Sequence, residues 1–310
     1  MGVARRALIT GGCGFVGVNL GRLLVSKGWS VAAYDSLVTG IREDAEAAGM
    51  ELVLGDVRDR ERLIAAAADS DFIVHLAAHT SVIDSIQDPA HDVDVNVTGT
   101  LNALLAARAA DVDGFVFASS NAPLGDAEMP LREDRVPAPV SPYGASKLSC
   151  EALCSAFGGS YDLPTTVLRF SNVYGPYSYH KGSVVALFLK RLLDGESLVI
   201  YGDGQQTRDF VHVDDIAQGI VAALESGLRG ETFHIGTGVE TSINELTQMI
   251  VDAFPGRSVD IEHRPVRAGE ILRNYSDITK AREMLAYDPK VELADGLRST
   301  KDWFTKVYGG

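Results

Sequence analysis

The 310-residue sequence is short of cysteine, of positive charge and of long apolar runs. Only Cys13, Cys150 and Cys154 occur, and an odd, sparse count excludes a disulfide-stapled scaffold. It points to a reducing compartment, so a cytoplasmic location is expected. Cys150 and Cys154 stand one helical turn apart with no Cys-x-x-Cys, which reads as two small buried helix residues rather than a redox pair. Lysine and arginine total 28 against 42 acids, a net charge of −14. A field of that sign repels nucleic acid and anionic membrane, so neither is expected as a partner. Any anionic ligand must be held locally, by helix N-termini and a few arginines. No apolar run is long enough to span a bilayer, and no signal-peptide pattern precedes the first strand. The seven histidines show no metal-ligand spacing, so no metal is expected. No internal repeat, low-complexity run or free linker divides the chain, although its length allows one domain with an elaborated lobe.

What is present is a regular alternation. Ala7 to Thr10 reads as a short buried strand running into Gly11-Gly-Cys-Gly-Phe-Val-Gly17. An amphipathic helix follows from about Val18 to Lys27, ended by Gly28, then a strand from Ser30 to Tyr34 with Asp35 at its tip. Glycines at 11, 14 and 17 permit a tight turn, close approach of a pyrophosphate and close helix-sheet packing. Asp35 lies near the spacing expected of an acid that binds a ribose, and it would repel a 2′-phosphate, which favours NAD over NADP; Arg42 nearby argues the other way. Further strands are expected over Glu51–Gly55, Asp71–Leu76 and Gly114–Ala118, with a helix from about Asp92 to Ala110. Such alternation implies a parallel sheet covered on both faces, with ligands beyond the carboxyl ends of its strands. Those ends carry Thr10, Asp35, Asp56, Ala77 and Ser120. Small Ala77 and Ala78 suit either a flat cofactor lying on backbone or simple close packing.

Ser141-Pro-Tyr-Gly-Ala-Ser-Lys147 puts a tyrosine and a lysine on one helix face, with Ser141 as cap and Pro142 in the first turn. An ammonium beside a phenol favours the phenolate, so Tyr143 is expected to serve as a proton acceptor near neutral pH. Ser120, at a strand end beside the expected cofactor, is placed to share a substrate hydroxyl's proton with it.

These residues resemble the extended short-chain dehydrogenase/reductases, specifically the nucleotide-sugar epimerases and dehydratases. The matching segments are the turn from Thr10 to Gly17, Asp35, Asp56-Val57, His75-Leu-Ala-Ala78, Asn96-Val-Thr-Gly-Thr100, Ser119-Ser120, Tyr143 to Lys147 and Arg169-Phe-Ser-Asn-Val-Tyr-Gly-Pro176. Tyr201-Gly-Asp-Gly204, Arg208-Asp-Phe-Val-His-Val-Asp-Asp215 and Arg267-Ala-Gly-Glu270 follow in the family's order. The resemblance implies a Rossmann-like, doubly wound parallel sheet with a smaller α/β C-terminal substrate lobe. Residues 1–171 would form the NAD-binding domain, with parts of 203–235 returning to it, and 172–310 mainly the lobe. It implies NAD held by Gly11, Gly14, Phe15, Val16, Gly17, Asp35, Asp56, Val57, Leu76, Ala77, Ala78, Asn96, Ser119, Tyr143, Lys147 and Phe170. It implies Tyr143 as base, Lys147 as its electrostatic support and ribose ligand, and Ser120 as the residue orienting the sugar hydroxyl. A UDP-sugar would meet Ser120, Tyr143, Asn172, Val184, Tyr201 and Glu270, with Arg208 and Arg267 as diphosphate clamps. His180 and Lys181, with Lys190 and Arg191 beyond them, suit either a C6 carboxylate or a solvated basic patch. Family members often pair through the helices around 95–110 and 143–157, so a homodimer is expected.

Departures from the family narrow the reaction. The 4,6-dehydratases carry an Asp-Glu pair just after the catalytic threonine, and the decarboxylases a Glu; here Asn121-Ala122 follows Ser120. The expected activity is therefore NAD-dependent inversion at C4 of a UDP-sugar, glucose or glucuronate, through a 4-keto intermediate. A reductase with net redox is the rival, as is a non-catalytic NAD sensor, which would have no need of Ser120, Tyr143 and Lys147. Pro123-Leu124 replaces the family's usual Val-Tyr, which bears on the sugar bound rather than on the redox chemistry.

Overall fold

A computed structural model describes residues 5–257, 259–266 and 271–308. Seven strands form the central sheet: β1 (Arg6–Thr10), β2 (Ser30–Asp35), β3 (Glu51–Leu54), β4 (Phe72–His75), β5 (Gly114–Ser120), β6 (Thr165–Phe170) and β7 (Glu231–Ile235). Their order is β7-β6-β5-β4-β1-β2-β3, and every pairing is parallel. Most of these strands read as continuous apolar runs because both faces are covered, and successive residues serve opposite cores. Ile9, Val74, Val116, Leu168 and Phe233 pack against the helices Phe15–Ser26 and Val213–Glu225. Leu8, Ile73, Phe115, Phe117 and Val167 face Leu63, Leu104, Cys150, Cys154 and Phe157 on the other side.

The chain leaves β1 for β2 on one side, while β4 pairs on the other. This is the switch point at which open α/β sheets bind ligands. A third core, built from Tyr174, Phe188, Ile200, Phe210, Leu246, Leu297 and Phe304 among others, holds the smaller lobe together. The chain passes between lobe and sheet more than once: Ile278, Ala281, Leu285 and Tyr287, far along the sequence, pack into the sheet's first core.

The expected helix over 92–110 is interrupted. A short helix, Pro89–Val93, opens on Asp88, a π-turn spans Asp94–Thr98, and the α-helix Gly99–Ala110 follows. π-turns concentrate where a side chain is given a special task, and Asn96 sits inside this one. Among the described residues no helix is long and apolar enough to cross a membrane.

Candidate active site

The Gly-rich turn joins β1 to the helix Phe15–Ser26. Gly11 adopts φ +68°, and a Cβ there would fall 2.8 Å from the Ala77 nitrogen. Thus the small residues at 11 and 77 serve close packing of two strand ends. The helix begins on Gly14, with no capping side chain and no acid in its first turn. Its first N–H groups lack intrahelical acceptors and suit a diphosphate. At the tip of β2, Asp35 is 8% exposed; its carboxylate accepts from the Cys13 N–H at 2.9 Å and the Leu37 N–H at 2.8 Å. Two acceptors used of about four leave capacity for ribose hydroxyls. Turn, helix start and acid together fit a dinucleotide. Burial, and then the Asp35 charge, push the Cys13 thiol up to about 12, so it is unreactive.

Two hydroxyls and an imidazole brace the ends of β1 and β4. The Ala77 N–H donates to Thr10 Oγ1 at 3.3 Å, and Thr10 Oγ1 lies 2.7 Å from His75 Nδ1. His75 Nε2 lies 3.1 Å from Thr100 Oγ1, which itself donates to the Asn96 carbonyl at 2.7 Å. That direction assigns the proton to Nε2 and makes Nδ1 an acceptor. Burial, reinforced by the Lys147 charge, holds His75 down at about 3, so the ring is neutral.

The helix Pro142–Tyr161 carries the tyrosine and lysine. Ser141 Oγ accepts from the Gly144 N–H at 3.1 Å, as the cap reading requires. A Cβ at residue 144 would come within 2.6 Å of the Ala122 carbonyl, so only glycine lets this helix start so close to the segment after Ser120. The Tyr143 N–H donates to Ser85 Oγ at 3.2 Å. Lys147 is buried; its Nζ donates to the Ala118 carbonyl at 2.8 Å and stands 5.9 Å from the Tyr143 ring centroid. Ser120 Oγ accepts from the Ala122 N–H at 3.2 Å, which leaves its own hydrogen to donate. Ser120, Tyr143 and Lys147 are thus drawn to one strand end.

Below them lies a buried ion pair that the sequence did not reveal. Arg169 on β6 grips Glu151 in fork geometry, at 2.9 and 2.7 Å, and Ser119 Oγ donates to the same carboxylate at 2.6 Å. Glu151 stands one helical turn beyond Lys147, so consecutive turns of the helix are tied to consecutive residues of β5. A second hidden acid, Asp92, is fully buried and accepts from Ser146 Oγ at 2.5 Å, Asn96 Nδ2 at 3.1 Å and His79 at 3.2 Å.

Several of the expected ligands have protein partners of their own. Asn96 is 1% exposed, and its amide holds the His79 backbone on both sides and Asp92. It shapes the segment after β4 from beneath. Ser119 gives its hydroxyl to Glu151, and Phe170 is packed in the first core. The Asp56 carboxylate, held low by Arg58, is bound by that guanidinium at 2.7 and 3.0 Å. Val57 is buried against Gly99, while Leu76 and Ala78 are each partly buried. The segment 177–185, expected over the sugar, is held at its start by the first helix. The Pro176 carbonyl accepts from Asn19 and the Tyr177 hydroxyl from Arg22, both on the first helix. His180 lies near Asp44, and Lys181 Nζ stands 5.7 Å from the Phe15 ring centroid. Arg191 turns to the Ser197 carbonyl at 2.9 Å. Val184 opens the helix Val184–Asp194; Asn172 lies on a short strand paired with Phe210–His212; Tyr201 ends the strand Leu198–Tyr201. Arg208 lies on Thr207–Arg208 beside Arg273–Asn274. Arg267 and Glu270 lie outside the described residues.

Asn121 occupies the position after Ser120. It is 6% exposed, donates to Asn274 Oδ1 at 2.9 Å and Ser276 Oγ at 3.1 Å, and accepts from His234 Nδ1 at 3.1 Å. Its amide is fixed in a buried polar network.

A parallel sheet with a Gly-rich turn at its switch point, and a tyrosine-lysine helix beside it, defines a dinucleotide-dependent enzyme. The chain belongs to the NAD dependent epimerase/dehydratase family, whose model matches residues 7–236, and its cofactor is NAD. It is 37% identical to the UDP-glucose 4-epimerase of Mycolicibacterium smegmatis over 308 residues, 96% of this chain and 98% of that one. The structure of Thermotoga maritima UDP-glucose 4-epimerase with UDP-glucose superposes with a TM-score of 0.92 at 35% identity, over 97% of this chain and 99% of that one. The dTDP-glucose 4,6-dehydratase DesIV of Streptomyces venezuelae, with NAD and TYD bound, gives 0.91 at 34%, over 98% of each chain.

Proposed function

We propose that this enzyme inverts C4 of a UDP-sugar without net oxidation. The observation that carries the reading is Asn121. Epimerase and dehydratase relatives are about equally similar, so overall likeness does not choose between them. Elimination of water needs a group that moves protons at C5 and C6. Where the dehydratases resembled here carry an acid, this chain has an amide tied to His234, Asn274 and Ser276, and an amide does not shuttle protons.

In the proposed reaction NAD supplies, when bound, the acceptor and donor of the C4 hydride. Ser120 donates its hydrogen to O4 and orients it. Tyr143, as phenolate, takes the O4 proton as the carbonyl forms and returns it to O4 of the epimer, so proton and charge balance over the cycle. Lys147 keeps a positive charge beside the phenol, pinned by the Ala118 carbonyl. Asn172, Val184, Tyr201 and Arg208, with Arg267 and Glu270, are assigned to the nucleoside diphosphate, for which guanidinium forks are suited. The 4-keto sugar turns about that anchored diphosphate. Of the residues considered for a C6 carboxylate, His180 lies near Asp44, Lys181 stands against Phe15, Lys190 reaches Tyr179 and the Lys181 carbonyl, and Arg191 turns to Ser197, which favours UDP-glucose and UDP-galactose over the uronates.

The test is Tyr143→Phe. The account expects turnover to fall by about 10²- to 10⁴-fold with the bound NAD retained; turnover equal to the parent would overturn it.

A homodimer is part of the proposal. Val82, Ile83, Ile86, Val93 and Leu101 are between 37% and 63% exposed on the helices Val82–Gln87, Pro89–Val93 and Gly99–Ala110, which flank the Tyr143 helix. An apolar strip of this kind is suited to a second copy.

A further inference from the structure

We infer that Lys181 is a ligand of the NAD diphosphate, reaching it from the smaller lobe across the first helix N-terminus. The inference needs NAD as cofactor but not the choice of sugar or reaction. Four observations carry it. The Lys181 ammonium stands 5.7 Å from the ring centroid of Phe15, the first residue of the helix that follows the Gly-rich turn. That helix has neither an acid in its first turn nor a capping side chain, and the Asp35 carboxylate meets the turn at the Cys13 N–H, ahead of the helix itself. Among the described residues no carboxylate pairs with Lys181, and the nearby Lys190 donates its Nζ to the Lys181 carbonyl at 3.4 Å. The loop is also held before any ligand arrives. Asn19 and Arg22 bond its start, Tyr179 stacks on Tyr308 at 3.4 Å, and the Lys181 N–H donates to the Ser178 carbonyl at 2.9 Å.

A partly buried cation whose only side-chain partner among the described residues is the ring of the helix's first residue has an aromatic face but no counter-ion. Burial accordingly pushes the Lys181 amine below its ordinary value. A diphosphate at the helix N-terminus supplies the missing counter-ion and accepts charge-assisted hydrogen bonds from ammonium and backbone at once. In a chain of net charge −14 such a local cation matters more than in a neutral one.

The test uses the full chain with Lys181→Met and Lys181→Gln, which keep most of the stem over Phe15, and Lys181→Arg. NAD retained on purification is quantified after release, and NAD is titrated calorimetrically into stripped protein at low and moderate salt. UDP is titrated into NAD-loaded protein in parallel. The inference expects the neutral variants to bind NAD about 10- to 100-fold more weakly, with a shallower salt dependence, and Arg to restore most of the loss. UDP affinity stays as in the parent. NAD affinity within twofold of the parent in a variant that melts normally would overturn it. So would a loss confined to UDP, which would give Lys181 to the substrate's diphosphate instead.

Discussion

Lowering the pH from 7 to 5 should weaken the fold through His75. The ring is 1% exposed and held down at about 3, chiefly by burial and then by the Lys147 charge. Its Nδ1 already accepts from Thr10, whose own oxygen accepts from the Ala77 N–H, so a proton on Nδ1 leaves the threonine hydroxyl hydrogen without that acceptor. The folded value lies below the unfolded one of about 6.5, so between the two the unfolded chain binds more protons and stability rises with pH. The contribution is therefore complete above about 6.5 and is lost as pH falls toward 3. From pH 7 to 5 the loss from this one group comes to about 2 kcal/mol at 1.36 kcal/mol per pH unit. His234, also held at about 3 by burial, adds a similar amount in the same direction. Asp209, pushed up by burial, acts in the opposite sense, so the comparison is made against His75→Gln rather than against pH alone. Urea unfolding at the two pH values should show the variant, whatever its absolute stability, losing about 2 kcal/mol less than the parent. Equal losses in parent and variant would show that His75 does not carry this pH dependence.

Glu151→Gln leaves the Arg169 guanidinium buried without its carboxylate, and urea unfolding should show a loss of about 3–5 kcal/mol. Asn121→Asp puts a charge among His234, Asn274 and Ser276; it should lower the melting temperature, consistent with about 1–3 kcal/mol, and mass spectrometry should find no product lighter by one water. Ile83→Asp combined with Ile86→Asp should convert a dimer to monomers in analytical ultracentrifugation, without loss of bound NAD.

The sheet was legible because a parallel sheet covered on both faces shows as apolar runs, here Ala7 to Thr10 and Gly114 to Ala118, and because the glycines at 11, 14 and 17 follow the first of them directly. The helix of Tyr143 was equally legible, from Ser141, Pro142 and the spacing to Lys147. What stayed hidden depends on residues far apart in the chain. Glu151 could be placed on the face of Lys147 by its spacing of four, but nothing local said that Arg169 would meet it. Asn121 could be recognised as a departure from an acid, yet its partners His234, Asn274 and Ser276 lie more than a hundred residues away. Asn96 was read from its linear motif, whereas the π-turn that directs its amide to His79 and Asp92 has no sequence marker. The direction taken by Lys181 was set by Asn19, Arg22 and Tyr308, none of them a neighbour in sequence.

The reaction proposed for this enzyme is an inversion at C4 with no net redox and no loss of water. It is tested most directly by incubating the purified protein, with no added cofactor, with UDP-glucose, UDP-glucuronate and UDP-N-acetylglucosamine separately, and resolving the products by chromatography and mass. The expected product is the C4 epimer of UDP-glucose at unchanged mass, reached without accumulation of reduced cofactor. A product lighter by one water, or turnover only when a reduced or oxidised nicotinamide is consumed, would contradict it.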